Sequence, residues 1–314
     1  MKKKALIISI KGLKLSKKEK SLLSNEKPWG LILFKRNINS LKQIKKLINN
    51  VKNLTRDKKF PIIIDEEGST VSRLRNIFNH NINANFFGNL YKIDKKNALT
   101  LYEQYLNSLC KILKEIGINI NTIPVLDVLR NNTNSIIGKR GFSNKKEIVK
   151  KLGEFTVKKC LSEKIITVIK HIPGHGCSTI DSHKKMPKVN LDKKLLNSID
   201  FYPFKSTSSK LAMTAHILYS KIDSKNVSTF SSEILKKIIR KKIGFKGILI
   251  SDDLSMKALK FDLVTNAKKA LKAGCNLVLY CNGNIKDNFK LIKSVPYIDK
   301  FTEKKTSEIY KIIR

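Results

Sequence analysis

The sequence predicts a (β/α)8 barrel, an α/β fold in which a closed sheet of parallel strands is wrapped by helices. Three observations predict it. Apolar runs of strand length recur eight times in 314 residues, segments of helical periodicity separate them, and charged residues collect at the carboxyl ends of the runs. The runs are residues 5–10, 30–36, 61–66, 119–128, 165–171, 211–217, 247–252 and 276–281. Rich in Ile, Leu and Val without polar alternation, they read as strands buried on both faces. Helical periodicity occupies residues 41–54, 96–116, 145–162, 192–201, 231–242 and 264–273, with a terminal helix at 302–313. Ser231 and Ser232 before Glu233 read as a helix start, and Gly274 as a helix stop. Residues 76–89, rich in Asn and Phe, read as a long loop. No internal repeat or Pro/Ser-rich linker divides the chain, so residues 1–314 are expected to form one barrel domain. An open doubly wound sheet is the alternative, because strand count alone does not prove closure.

Composition narrows the functional classes. The formal charge of +39 would suit a nucleic-acid or membrane-surface protein, but the lysines are scattered along the whole chain among abundant Asn and Ile. They read as solvated helix faces; a polyanion would bind weakly and with strong salt dependence. The five cysteines form no C-x-x-C pair, which points to a reducing, cytoplasmic compartment. The amino terminus, three lysines followed by Ala5-Leu-Ile-Ile-Ser-Ile10, imitates a signal peptide, yet lysines return at Lys11 and Lys14 and no small-residue cleavage site follows. It reads as a first buried strand. No stretch approaches the ~18 apolar residues of a membrane span.

The chemistry is expected where the runs end. Lys35 and Arg36, Asp65, Asp127, Lys170 and His171, His216 and Asp252 each close a run. Burying that many charged groups separately would require a partner for each, so a shared polar cleft is the simpler account. The densest segment is Lys170 to His183, which contains three of the five histidines. Its Pro173, Gly174 and Gly176 exclude a helix and favour a mobile loop. Asp181 and His183 lie one residue apart, so the carboxylate can orient the imidazole and raise its pKa, giving a general acid/base that works near neutrality. His171, His175, Cys177, Asp181 and His183 could also ligate zinc. The Pro-Gly pair between His171 and His175 denies the helical register such a motif needs, and no metal is expected. At the seventh run, alternation places Asp252 and Asp253 on opposite faces, so one can serve as a nucleophile while Asp253 caps the following turn. Asp127 and His216 read as supporting groups.

Together these segments resemble family 3 glycoside hydrolases, and within them the single-domain β-N-acetylhexosaminidases of the NagZ type that act in peptidoglycan recycling. The resemblance rests on Leu31-Ile-Leu-Phe-Lys-Arg-Asn-Ile38, Ile64-Asp-Glu-Glu-Gly68, Ile120-Asn-Thr-Ile-Pro-Val-Leu-Asp-Val128, Lys170-His-Ile-Pro-Gly-His-Gly176, Asp181-Ser-His183 and Ser251-Asp-Asp-Leu-Ser-Met256. It implies that Asp252 is the nucleophile, His183 the acid/base and Asp181 its partner. It also implies that Asp65, Arg73, Arg140, Lys170 and His171 hold the sugar by its hydroxyls and acetamido group, with no cofactor. The implied reaction releases terminal β-linked N-acetylglucosamine from anhydro-muropeptides with retention, through a covalent glycosyl-enzyme. Two alternatives stand beside it: phosphorolysis, because a neutral histidine repels phosphate less than a carboxylate does, and a non-catalytic basic barrel that binds nucleic acid. Ser69 and Thr70 replace the family's usual glycine and arginine, Gly141 stands where serine is usual, and Cys177 where an acidic or polar residue is common.

Overall fold

The computed structural model describes residues 2–131, 133, 134, 137–178, 180, 182 and 185–313. Eight parallel strands close into a barrel in the order β1 (Lys4–Ile8), β2 (Pro28–Leu33), β3 (Ile62–Ile64), β4 (Ile120–Asn121), β5 (Ile166–Ile172), β7 (Leu211–Thr214), β9 (Ile248–Asp253) and β10 (Leu277–Leu279), and β10 pairs back onto β1. A separate parallel pair, β6 (Lys188–Val189) with β8 (Leu218–Tyr219), lies outside the barrel. The expected closed (β/α)8 architecture is therefore present, and the open sheet is excluded by the Leu6↔Val278 and Ile7↔Leu279 pairing.

The strands divide their side chains between two cores, as alternation requires. Ile7, Trp29, Ile32, Ile63, Val168, Met213, Ile250 and Leu279 pack inside the barrel. Leu6, Ile8, Leu31, Leu33, Ile62 and Ile64 face outward under the helices. The helix Lys300–Ile312 contributes Ile309 to the interior cluster, joined by Ile313, and Trp29 Nε1 donates to Thr306 Oγ1 at 2.9 Å. With Lys3 paired to Asp57 beneath it, this helix plugs the amino-terminal mouth and leaves the carboxyl-terminal mouth for a site.

Several elements differ from the sequence expectation. The fourth run pairs in the sheet only over Ile120–Asn121, since Pro124 has no N–H to give to a ladder. Beyond it Val125 makes a single bridge to Lys170. The second run stops at Leu33, and Lys35–Asn37 form a 3-10 turn. The stretch read as a loop at 76–89 turns helical at Ala84 and continues to Ile93. The reason is tertiary: Phe87 packs on Tyr102 with ring centroids 4.3 Å apart, and Gly88 lies against the Phe142 carbonyl, where an added Cβ would sit 1.7 Å from the oxygen. Two helices absent from the sequence reading, Lys17–Asn25 and Ile285–Ser294, start at good caps, a Ser16/Glu19 capping box and Asn284. The segment read as 231–242 is an eleven-residue π-helix, Glu233–Ile243, whose Ser231 hydroxyl caps Ile234 N and whose end is Gly244. Gly274 ends the helix before β10, as read.

The plug yields a stability prediction. Thr306→Val keeps the volume but leaves the buried indole N–H of Trp29 without an acceptor, and should lower stability by about 1–3 kcal/mol in urea unfolding. A loss below about 0.5 kcal/mol would mean that this bond does not hold the plug in place.

Candidate active site

At the carboxyl ends of the strands lies a cleft of about 380 Å³. Asp65, Glu67, Arg73, Arg140, Lys170 and His171 form one polar wall, Met213 and Leu279 an apolar floor, and Asp252 reaches the cleft from the end of β9. The placement follows from the strands: Asp65, Lys170, His171 and Asp252 stand at or just beyond the ends of β3, β5 and β9, while Arg73 and Arg140 arrive on the segments that follow β3 and β4.

The polar wall is organised around Lys170, which is 2% exposed. Its ammonium sits 2.5 Å from Glu67 Oε1 and 3.3 Å from Asp65 Oδ1, and donates to Thr122 Oγ1 at 2.7 Å. The Thr122 hydroxyl in turn donates to Asp65 Oδ1. Arg140 grips Glu67 with both prongs, Nε to Oε2 at 2.6 Å and Nη2 to Oε1 at 2.9 Å. Arg73 reaches Asp65 Oδ2 at 3.3 Å. Burial alone would push both carboxyls up, but the cations outweigh it. Lys170 and Arg73 hold Asp65 well below the carboxylate range, while Arg140 and Lys170 bring Glu67 down to about 2. Burial would lower the Arg140 guanidinium, and Glu67 reverses this and raises it. The wall is a fixed array of donors and acceptors of the kind that can match a polyhydroxylated molecule.

A second buried carboxylate, Asp127, organises the histidine segment. Its Oδ2 is 2.7 Å from His171 Nδ1, while Oδ1 accepts the backbone N–H of His175 at 2.6 Å and of His171 at 3.2 Å. This fixes the His171 tautomer with Nδ1 protonated. Burial would raise Asp127, but His171 and the His175 backbone N–H lower it. His175 is itself buried. Desolvation, helped by His171, brings its pKa down to about 4, so it is neutral, with Nε2 3.3 Å from Ser182 Oγ. The glycines here serve close approach of the backbone. A Cβ on Gly176 would meet the Val128 carbonyl at 1.9 Å, and one on Gly174, at φ +141°, would meet the Asp200 carbonyl at 2.8 Å. Thr133 Oγ1 and the Tyr219 hydroxyl donate to the Gly176 and Gly174 carbonyls, and Arg130 pairs with Asp200 behind them.

Of the residues singled out in the sequence, Asp65, Arg73, Arg140, Lys170, His171 and Asp252 meet in this one cleft. Asp181 and His183 lie outside the described residues; Ser182, between them in the chain, lines the cleft. Asp253 is committed to the turn, accepting from Ser255 N, Ser255 Oγ and Cys281 N, and its own N–H donates to Asp252 Oδ1 at 2.8 Å. His216 does not line the cleft. Its Nε2 donates to the Asp253 carbonyl at 3.1 Å and its Nδ1 takes the Thr229 hydroxyl, which supports the end of β9 from behind. Arg36 ties Ser9, Ile10 and Cys281 together rather than entering the cleft. Glu67 is a cleft residue the sequence reading left out of the site, although alternation from Asp65 places it on the same side of the chain. Ser69 and Thr70 both bond Asn83 Oδ1, so the departures from the family pattern close their own loop. Among the described residues no group of three His, Cys, Asp or Glu is arranged to hold a metal ion.

Residues 2–309 match the glycosyl hydrolase family 3 N-terminal domain. The chain belongs to this family. It is 34% identical over 291 residues to a β-hexosaminidase of Shewanella frigidimarina, covering 89% of this chain and 82% of that protein. A β-hexosaminidase of Haemophilus influenzae is 32% identical over 304 residues, 93% of this chain and 85% of its own. Among solved structures, NagZ from Neisseria gonorrhoeae in complex with N-trifluoroacetyl-D-glucosamine superposes with a TM-score of 0.90 at 29% identity, covering 98% of this chain and 90% of that one. A family 3 β-N-acetylglucosaminidase from Paenibacillus sp. gives a TM-score of 0.87 at 25% identity over 98% of this chain and 60% of the other.

The depressed His175 carries a pH signature. Its folded pKa of about 4 lies below the ordinary 6.5, so the unfolded chain binds this proton more readily between those values. Its contribution to stability is constant above pH 6.5 and falls as pH drops from 6.5 to 4, with a slope of at most about 1.4 kcal/mol per pH unit. In urea midpoints measured from pH 7 to 4.5, His175→Gln should show a shallower decline than the wild type; parallel curves would mean that the ring titrates alike in both states.

Proposed function

We propose that in this β-N-acetylhexosaminidase Asp252 attacks the anomeric carbon of a terminal β-linked N-acetylglucosamine, while His183, partnered by Asp181, protonates the departing glycosidic oxygen. The bond from anomeric carbon to leaving oxygen breaks as the bond to Asp252 forms, and the proton passes to the leaving group. Water, losing its proton to the same imidazole, then releases the sugar with net retention. Asp65, Arg73, Arg140, Lys170 and His171 bind the sugar's hydroxyls and acetamido group. The observation that carries the reading is the division of labour at the end of β9: Asp253 is consumed by the turn, and Asp252 opens onto the cleft bounded by the Lys170 array.

The natural substrate in this proposal is a peptidoglycan fragment ending in anhydro-N-acetylmuramic acid, met in the cytoplasm during cell-wall recycling. The family relationship supports it, as do five cysteines that are all free thiols. Among the described residues no helix is long and apolar enough to cross a membrane.

The test uses 4-nitrophenyl N-acetyl-β-D-glucosaminide and a fluorinated analogue that traps the glycosyl-enzyme. Wild-type protein should release nitrophenol. Asp252→Asn should lose about 10³-fold or more in kcat with unchanged circular dichroism, and the trapped label should map to the peptide containing Asp252. A label on any other residue would overturn the assignment.

A further inference from the structure

Between the two cleft carboxylates stands a third that faces the other way. Glu66 is fully buried, and alternation turns it from the side shared by Asp65 and Glu67. Its backbone is pinned to β4, since its N–H donates to Asn121 Oδ1 at 3.0 Å and its carbonyl accepts from Asn121 Nδ2 at 2.9 Å. From this anchor Oε2 accepts two backbone N–H groups at once, Arg73 N at 2.7 Å and Leu74 N at 2.9 Å. One carboxylate oxygen thus fixes the main chain from which Arg73 projects into the cleft.

The Arg73 side chain has little else to hold it. Its guanidinium makes the 3.3 Å contact with Asp65 and lies 5.2 Å over the Phe34 ring, and its buried Nε has no hydrogen-bond partner among the described residues. Its aim therefore depends on the backbone, and the backbone depends on Glu66. The other Glu66 oxygen, Oε1, is also buried and unbonded among the described residues; His80 Nε2 lies 3.6 Å from it and 3.5 Å from the Tyr105 hydroxyl, which can accept from an Nε2–H as the carboxylate does. The His80 side chain is 8% exposed and wedged against Phe78 and Tyr105, with ring centroids 4.8 and 5.3 Å away. A buried carboxylate oxygen next to an immobilised imidazole, just beyond bonding distance, calls for an N–H on that imidazole.

We infer that Glu66 and His80 form a positioning pair for Arg73, in which His80 Nε2–H holds the carboxylate so that its other oxygen fixes the Arg73 and Leu74 amides. Neither residue touches substrate; both act through the guanidinium. The inference rests on the reading that Arg73 binds the sugar.

The experiment compares Glu66→Ala, Glu66→Gln, His80→Phe, Arg73→Ala and the double variant E66A/R73A in the full chain with 4-nitrophenyl N-acetyl-β-D-glucosaminide. Glu66→Ala should raise KM by about 10-fold while kcat stays within about 3-fold. Glu66→Gln, whose amide oxygen can still accept both N–H groups, should recover most of that loss. His80→Phe keeps the ring packing without the donor and should raise KM by about 3-fold. The double variant should be no worse than Arg73→Ala, because the two changes remove one interaction. Additive losses, or a Glu66→Ala protein that loses thermal stability at unchanged KM, would overturn the inference. If Glu66→Ala does not fold, the Gln and Phe variants decide: KM values equal to wild type in His80→Phe would count as refutation. Failure of the parent reading shows separately, as a folded Arg73→Ala protein whose KM equals that of an active wild type.

Discussion

The site depends on seating one lysine side chain where water hardly reaches. Lys170 sits on a central barrel strand at 2% exposure, and an isolated buried ammonium would lose its proton rather than bear the desolvation cost. Two carboxylates and a threonine hydroxyl hold it, and those carboxylates then need cations of their own, which Arg73 and Arg140 supply. The cleft is thus a closed chain of dependencies: each charge is tolerated because its neighbour is present. Such an arrangement is poor at adding stability, since the Coulomb gain roughly offsets desolvation, but it is very good at fixing geometry. A sugar has no charge to seize, and recognising its stereochemistry requires donors and acceptors that do not move. The polar wall exchanges stability for that rigidity.

The same logic governs the backbone behind the wall. Asp127 splits its two oxygens between the His171 imidazole and the His175 amide, so one buried group sets both the tautomer of a cleft residue and the course of the chain that follows it. Gly174 and Gly176 then let that chain pass within van der Waals contact of the Asp200 and Val128 carbonyls, where no side chain fits. Glu66 does for the segment before Arg73 what Asp127 does after Lys170. In both places a carboxylate buried behind the cleft shapes a segment that lines it.

How much of this was legible follows from what kind of signal each feature leaves. A helix-wrapped parallel sheet was readable because eight apolar runs must be buried on both faces, but an open doubly wound sheet meets that condition too, and only the β10–β1 pairing decides closure; the cleft was readable because charged residues stand at the ends of those runs. Alternation allows only one of Asp252 and Asp253 to face the cleft; the resemblance gives that place to Asp252 and leaves the turn to Asp253. Glu67 could have been found by the same rule but was overshadowed by Asp65. By contrast, the helix from Ala84 has no strong local signal; it exists because Gly88 fits under a distant carbonyl and Phe87 enters an aromatic cluster. The close approaches at Gly174 and Gly176 are likewise invisible in the sequence, which shows the absence of a side chain but not the backbone that occupies its place. Tertiary contacts decide such cases, and a single sequence does not print them.

The overall charge of +39 takes on a different meaning beside this cleft. Asp65, Glu66, Glu67, Asp127, Asp200, Asp252 and Asp253 all lie in or directly behind the site, so a sizeable share of a small acidic complement is concentrated there. The lysines spread over the helices, where solvent and salt screen them within about 10 Å. Inside the cleft Asp65 and Glu67 are paired with Arg73, Arg140 and Lys170 rather than with surface lysines. A barrel can drift toward lysine on its outside while its chemistry stays fixed, provided that substitutions avoid the strand ends. The scattered lysines and the clustered acids are two sides of that one constraint.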